Sequence, residues 1–180
     1  MPITAVLLVL AFFPGVTQSV GADEERVAAA RSSATKGDAD AQFNLGFMYA
    51  YGKGVPQDDA EAVKWFRMAA DQGLANAQSN LGFMYANGEG VPQDDAEAVK
   101  WYRMAAEQGH MEAQYALGRR YAKGVGVSKS RVRAYAWFDL ASASGHPEAK
   151  ENKHTLAKAM TPKQLAEAQK LSADYSRIFR

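Results

Sequence analysis

The 180-residue chain has no cysteine, only three histidines, and no apolar run approaching the roughly 20 residues that a bilayer-spanning helix needs. The absence of cysteine excludes disulfides, lipid attachment through an N-terminal cysteine, and zinc sites made of thiolates. His110, His146 and His154 have no nearby residues at metal-ligand spacing, so we predict neither a metal nor a cofactor. Stability is therefore expected to come from packing.

Positive charge is also missing from the first four residues, although the N-terminus otherwise has the character of an export signal. An apolar stretch, Ile3 to Phe13, is followed by the small residues Val20, Gly21 and Ala22 and then by three acidic residues. We predict a cleaved signal peptide over residues 1–22 and a periplasmic or secreted protein. A retained anchor is the alternative, which the shortness of the run disfavours.

The charge is balanced overall, at +1, but it is unevenly distributed. Residues 23–111 carry 8 basic and 14 acidic groups, whereas residues 112–180 carry 13 and 6. This asymmetry either orients an acidic partner at the C-terminal half or only keeps the surface solvated. The most basic segment, Arg119 to Arg133, also allows an anionic glycan or lipid head group, while export argues against nucleic acid.

The chain is dominated by an internal repeat with a period of 36 residues. Between residues 40–75 and 76–111, 28 of 36 positions are identical. A weaker third copy covers residues 112–147, and a half copy precedes the first. Such self-similarity predicts a solenoid of stacked units, each too small to bury its own apolar face.

Each copy predicts two helices, A and B. In the first copy, Ala41 to Tyr51 has apolar residues at helical spacing, and the segment Gly52 to Pro56 then ends helix A. Asp58 has the spacing of an N-cap and predicts that helix B begins near Asp59, as Asp94 does in the second copy. A buried stripe on helix B is expected around the tryptophan, Trp65.

The pattern Ala41-x3-Leu45-Gly46-x2-Tyr49-x2-Gly52-x-Gly54-Val55, continued through Trp65 to Gly73, resembles the Sel-1-like repeat, a relative of the tetratricopeptide repeat. The resemblance covers residues 24–151 and implies an all-α, right-handed α-solenoid. The expected division is an N-terminal capping helix (23–39), repeats at 40–75, 76–111 and 112–147, and C-terminal capping helices (148–180). Members of the family act as adaptors, regulators or assembly factors, often in the periplasm, through protein or peptide binding.

Helix A has a face opposite Leu45 that is the candidate partner-binding surface, because in related repeats this face lines a concave groove. The predicted groove residues are Phe43, Asn44, Phe47, Tyr51, Ser79, Asn80, Phe83, Asn87, Tyr115, Arg119 and Lys123. Exposed aromatics anchor partners, amides pair with peptide backbone, and Arg119 with Lys123 suits a carboxylate. The hypothesis is an extended peptide with an acidic end. The alternative is that Phe43, Phe47 and Phe83 pack inside the stack.

The sequence gives only weak support for a catalytic function. The pairs Asp58-Asp59 and Asp94-Asp95 recur where a helix cap is needed, which favours capping over catalysis. Ser33-Ala34-Thr35-Lys36 matches the Ser-x-x-Lys of penicillin-interacting enzymes, but the Ser-Asp-Asn and Lys-Thr-Gly elements are missing. We predict a non-enzymatic scaffold of the bacterial envelope, with an envelope sensor as a candidate partner. The alternative is a peptidoglycan-binding protein or a β-lactamase-like hydrolase.

Overall fold

The computed structural model describes residues 14–179, and in this part of the chain all regular structure is helical. The helices are α1 (Pro14–Thr35), α2 (Ala39–Tyr51), α3 (Asp59–Asp71), α4 (Ala75–Asn87), α5 (Asp95–Glu107), α6 (Met111–Lys123), α7 (Arg131–Ala143), α8 (Ala149–Lys158) and α9 (Pro162–Ile178). The predicted all-α solenoid is confirmed. Residues 1–13 of the predicted signal peptide lie outside the described residues, and its remaining residues begin α1.

The helices pack in chain order. Three hairpins, α2–α3, α4–α5 and α6–α7, are the A–B pairs of the three repeats, and each B helix also packs on the next A helix. Helix α1 takes the place of a B helix before α2, while α8 and α9 both cover α7. Each helix therefore buries its apolar face only against near neighbours along the chain.

Caps at the helix ends explain why the elements begin and end where they do. Asp58 accepts a hydrogen bond from the Glu61 N–H at 3.0 Å, and Asp94 accepts from the Glu97 N–H at 2.9 Å, so both B helices begin at the predicted residue. Gly52 and Gly88 end the A helices with φ of 63° and 73°, values that favour glycine.

Helix A begins slightly earlier than predicted, and two different side chains cap it. In the first repeat Asp38 accepts a hydrogen bond from the Ala41 N–H at 2.7 Å, which allows α2 to begin at Ala39. In the third repeat the Nδ1 atom of His110 accepts from the Ala113 N–H at 3.3 Å. His110 is therefore the N-cap of α6.

Inside each hairpin a glycine of helix A lies against an aromatic ring of helix B. Gly46 faces Phe66, Gly82 faces Tyr102, and Gly118 faces Phe138, whose ring carbon lies 2.6 Å from where a Cβ of residue 118 would stand. The preceding leucine in each copy is fully buried. Trp101 and Trp137 are also buried, as predicted for the helix B stripe, but Trp65 is only half-buried.

Each A helix has a buried glutamine that hydrogen-bonds to the helix before it. In the first two repeats this glutamine is also hydrogen-bonded to the residue that ends helix B of its own repeat. Gln42, Gln78 and Gln114 donate their amides to the carbonyls of Ala34, Ala70 and Ala106 at 3.0, 3.1 and 3.2 Å. In the first two repeats Gln72 and Gln108 donate in turn to Oε1 of Gln42 and Gln78, each at 2.7 Å. The third repeat has Ser144 at that position, and Oε1 of Gln114 is buried without a hydrogen-bond partner among the described residues.

The C-terminal helix closes the stack by folding back onto α7. Thr161 and Gln164 form a capping box, and Pro162 occupies the first helical position. The Trp137 ring lies 4.7 Å from the ring of Tyr175 and 5.9 Å from that of Phe179. Phe179, which follows the last residue of α9, is therefore held against Trp137.

Candidate partner-binding groove

Four depressions follow one another along the A helices. They lie between α1 and α2 (about 820 Å³), α2 and α4 (about 520 Å³), α4 and α6 (about 270 Å³), and α6 and α8 (about 550 Å³). Phe83 lines both the second and third, and Arg119 and Lys123 line both the third and fourth. We call this row of depressions the helix A groove.

Eight of the eleven predicted groove residues line these depressions. Asn44 and Phe47 line the first, Tyr51 and Phe83 the second, Phe83, Asn87, Arg119 and Lys123 the third, and Tyr115, Arg119 and Lys123 the fourth.

The other three predicted residues, Phe43, Ser79 and Asn80, line none of the four depressions. Ser79 is buried, and Phe43 packs on the core with its ring 5.6 Å from that of Phe66. Asn80 donates its amide to the carbonyl of Asn76 in its own helix at 2.8 Å. Each A helix is covered on one side by its own B helix and on the other by the preceding B helix or α1, so the prediction that Ser79 and Phe43 face a partner disagrees with their packing. For Asn80, which is half-buried, it stays a prediction.

The first part of the groove is aromatic. The rings of Phe47 and Tyr51 are 4.3 Å apart, and the Lys53 ammonium lies 4.8 Å from the centre of the Phe47 ring. Phe47 packs partly on the core, whereas Tyr51 is 62% exposed. Packing inside the stack, the alternative for Phe43, Phe47 and Phe83, therefore holds in part for Phe47, whereas Phe83 is exposed.

The second depression has acidic side chains. It is lined by Asp59, at the start of α3, and by Glu89, in the loop after α4. Asp59 accepts a hydrogen bond from the Gln57 amide at 3.3 Å, and Glu89 accepts one from the Asn87 amide at 3.2 Å. Among the described residues, the side chains that donate to these two carboxylates are neutral amides, so this part of the groove favours a cation.

The third depression has cations above an apolar floor. Arg119 and Lys123 are exposed one turn apart on α6, at positions that hold Phe83 and Asn87 in the preceding repeat. Arg120 also lines this depression, but it forms an ion pair with Asp95. Burial raises the pKa of Tyr102, which lines the same depression, to about 12, against the opposing effect of both arginines. Its phenol therefore stays neutral.

A polar cluster at the junction of α6 and α8 closes the fourth depression. Tyr115 donates its hydroxyl to Glu148 and accepts a hydrogen bond from the Asn152 amide at 3.0 Å, and its ring stacks on buried His146 at 3.9 Å. His146 in turn lies 3.2 Å from a carboxylate oxygen of Glu112. Burial and the hydrogen bond to Glu148 raise the pKa of Tyr115. Sequence patterns do not predict this cluster, because its two groups, residues 112–115 and 146–152, lie more than 30 residues apart.

The residues weighed as catalytic do not converge. Ser33 and Lys36 are exposed at the end of α1, where the Ser33 carbonyl accepts from the Lys36 N–H at 3.1 Å. Asp58 and Asp94 act as caps. Within residues 14–179 no group of three or more His, Asp and Glu residues is arranged to hold a metal ion. In the same range, no helix has the combination of length and apolar character that crossing a membrane demands.

Comparison with known proteins agrees with this architecture. The profile of the Sel1 repeat matches residues 39–74, 75–110 and 112–146, more than half of the chain. No functionally curated protein matches it.

The chain is similar to solved structures of several proteins, among them the following three. The protective antigen c5321 of uropathogenic Escherichia coli, which displays an SLR fold, matches 85% of this chain at 40% identity with a TM-score of 0.79. This chain spans only 33% of that antigen's length. A Sel1 repeat protein from Oxalobacter formigenes matches 72% of this chain and 98% of its own length at 45% identity, with a TM-score of 0.67. Cysteine rich protein B of Helicobacter pylori shares the fold, with 20% identity and a TM-score of 0.59 over 71% of this chain and 95% of its own.

Proposed function

Because the chain belongs to the Sel1 repeat family, whose members are generally protein-interaction scaffolds, we propose that it is a non-enzymatic scaffold of the bacterial envelope that binds a protein or peptide partner through the helix A groove. The groove is formed by helices that the repeat holds in fixed register. Binding there requires no rearrangement of the hairpins.

The observation that carries this proposal is the exposure of large aromatic side chains inside the groove. Tyr51 is 62% and Phe83 is 50% exposed, while the leucines of the same helices, Leu45 and Leu81, are fully buried. The core therefore has its apolar contacts without these two rings. Exposed aromatic side chains in a concave, partly apolar site are typical anchors for a partner.

The envelope location is supported by the sequence of residues 1–22, with its apolar stretch and small residues before an acidic segment. Fractionation of a cell that expresses the full chain with a C-terminal tag tests it. We expect the tagged protein in the periplasmic or culture fraction, with its mature N-terminus close to Asp23. Full-length protein confined to the cytoplasm would contradict the location without affecting the groove.

Affinity capture from envelope extract tests the binding function. The informative variant is Tyr51→Asn with Phe83→Ala, because asparagine already occupies the position of Tyr51 in the second repeat and neither ring belongs to the core. We expect wild-type protein to retain discrete proteins that the double variant loses. Phe47 is left intact because it packs on the core, and its substitution would lower stability as well as affect binding.

A matched control removes apolar surface elsewhere. Met68 and Met104 are 45% and 44% exposed on the B helices, and Met68→Ala with Met104→Ala deletes side chains of comparable exposure outside the groove. This control should capture the same proteins as wild type. Equal capture by the groove variant, at equal thermal stability, would reject the helix A groove as the binding surface, and retention only by purified peptidoglycan would replace the proposal by a cell-wall function.

A further inference from the structure

We propose that the partner inserts an arginine side chain into the depression between α2 and α4, where the guanidinium lies among aromatic rings and pairs with Asp59 and Glu89. This inference rests on the proposed function and adds to it the chemical group that the helix A groove receives from its partner. The equivalent depression, one repeat further along, already contains a guanidinium of the chain itself.

The depressions between α2 and α4 and between α4 and α6 are built from equivalent positions of successive repeats. Six of the eight residues that line the former have counterparts, one period later, that line the latter. The six pairs are Ala50 and Ala86, Tyr51 and Asn87, Phe66 and Tyr102, Phe83 and Arg119, Met84 and Arg120, and Glu89 and Val125. The contents of one depression therefore indicate what the other can accept.

Arg120 fills part of the depression between α4 and α6 from within the chain. Its guanidinium forms an ion pair with Asp95 and lies 5.9 Å from the centre of the Tyr102 ring, and its side chain is only 15% exposed. Charge and ring contact both stabilise a cation in such a position. The space that remains there, about 270 Å³, is about half of the 520 Å³ between α2 and α4.

The depression between α2 and α4 has carboxylates but no cation of its own. Met84 stands where the next repeat has Arg120. Among the described residues, the side chains that donate to Asp59 and Glu89 are neutral amides, and neither carboxylate takes part in an ion pair. Glu89 also adds a charge that the next repeat lacks, because Val125 occupies its position there. Both negative charges can therefore pair with a group from outside the chain.

The rings around these carboxylates favour a guanidinium over other cations. Tyr51 and Phe83 line the depression with much of their surface exposed, and the buried ring of Phe66 lines it as well. A guanidinium is planar and weakly hydrated, so it can stack on aromatic faces while it donates parallel hydrogen bonds to a carboxylate. An ammonium is more strongly hydrated and loses more on leaving water. The partner group that fits best is therefore an arginine side chain.

NMR titration of the isotope-labelled full chain with three blocked amino acids tests this site directly. The probes are the N-acetyl, N-methylamide derivatives of arginine, lysine and citrulline, whose blocked ends carry no charge. Citrulline is neutral and has nearly the shape of arginine. We expect arginine to shift the amide signals of Tyr51, Asp59, Phe83 and Glu89 and to bind about tenfold more tightly than citrulline, the value of one charge-assisted hydrogen bond. Lysine should bind more weakly than arginine.

A pair of charge variants assigns the preference to its residues. Asp59→Asn with Glu89→Gln should abolish the preference for arginine over citrulline. The matched control, Asp71→Asn with Glu107→Gln, makes the same two changes at exposed residues that end α3 and α5 and line none of the four depressions. This control should keep the preference.

Met84→Arg gives the second repeat the residue that the third repeat has at this position. We expect the new guanidinium to pair with Asp59, as Arg120 pairs with Asp95, and to abolish binding of the arginine probe. Met84→Leu keeps an apolar side chain of similar size and should bind the probe like wild type. Because Met84 is buried, thermal unfolding checks that both variants fold, and the charge variants test the site without altering this residue.

Equal binding of arginine and citrulline, lysine binding as tight as that of arginine, or loss of the preference in the control at the ends of α3 and α5 overturns this inference. So does capture of the wild-type set of envelope proteins by Asp59→Asn with Glu89→Gln. None of these outcomes rejects the scaffold function, which fails only if the groove variant Tyr51→Asn with Phe83→Ala captures the same envelope proteins as wild type.

Discussion

Gln108 donates its side-chain amide to the buried Oε1 of Gln78 at 2.7 Å, and this contact repeats one period earlier between Gln72 and Gln42. In the third repeat the donor is replaced by Ser144, so the buried Oε1 of Gln114 has no partner among the described side chains and backbone groups. Residues 72, 108 and 144 all cap the end of a B helix with similar backbone angles.

Restoring the missing donor should stabilise the protein. We expect Ser144→Gln to raise the free energy of unfolding by about 1 kcal/mol, the usual net value of a hydrogen bond. For a chain of this size that corresponds to an increase in Tm of about 2–4 °C, measured by thermal unfolding. Ser144→Met adds similar bulk without a donor and should give no such increase. An equal gain from both variants would show that packing, not the amide, is responsible.

Gly90 should tolerate substitution far less than Gly109. A Cβ at Gly90 would overlap the backbone carbonyl of Asp59, whereas one at Gly109 meets nothing within 4 Å, and both residues have positive φ. Gly109→Ala should cost about 1–2 kcal/mol for the left-handed backbone alone. Gly90→Ala should cost about 1–3 kcal/mol more because the repeats must separate. Urea denaturation of the two variants measures the difference, and similar losses would contradict the close approach of the loop to α3.

Gly118→Ala should destabilise the protein even though alanine favours a helix by about 1 kcal/mol over glycine. The Phe138 ring lies where the new Cβ would stand, so we expect a net loss of about 1–3 kcal/mol in urea denaturation. Phe138→Leu should be less costly in the Gly118→Ala background than in wild type, because the ring no longer collides. Additive effects of the two substitutions would rule out direct contact as the cause.

His110 should make stability depend on pH. Burial lowers the pKa of its imidazole below the ordinary value of 6.5, so the unfolded chain takes up the proton more readily than the folded one. Its contribution to stability is complete above about pH 6.5 and is lost as the pH falls through the lower folded pKa, since protonated Nδ1 cannot accept the Ala113 N–H. His110→Asn keeps an N-cap acceptor that does not titrate.

Urea midpoints measured for both proteins between about pH 7.5 and about pH 5 test this dependence. The wild type should lose more stability than His110→Asn as the pH falls, while His146 and His154 contribute equally to both proteins. Parallel curves would exclude His110 as the titrating cap.

The repeat and the caps could be predicted because their signals are local. Gly52 and Asp58 act on the backbone within a few residues of their own positions, so the boundaries of α2 and α3 follow from spacing alone. Because the copies are similar in sequence, the hairpins are expected to pack in the same way. The return of α9 onto Trp137 has no counterpart in the repeat, and the role of Phe179 emerged only from the structure.

The groove was predicted less completely because a helical wheel centred on Leu45 treats helix A as having one buried side. The A helices contact a B helix in their own hairpin and another in the preceding unit, which buries Ser79 and draws Phe43 onto Phe66. Tyr51, Phe83, Arg119 and Lys123 line the depressions between these contacts, and their role in partner binding stays a prediction. The contacts of Tyr115 with Glu148 and His146 could not be predicted from the spacing of these residues in the sequence.

The glycine contacts also distinguish two sets of loops that should tolerate insertions differently. Loops that follow the A helices nest against the preceding unit, through Gly90 on Asp59 and Gly126 on Asp95, whereas the turns at Gly73, Gly109 and Gly145 face open space. A tag or a reporter domain inserted after Gly109 should leave the array intact, but the same insertion beside Gly90 would separate adjacent units. Adding whole 36-residue copies preserves every contact between a loop and the preceding unit. A copy of different length would disrupt such a contact, which explains why the repeat length is constant.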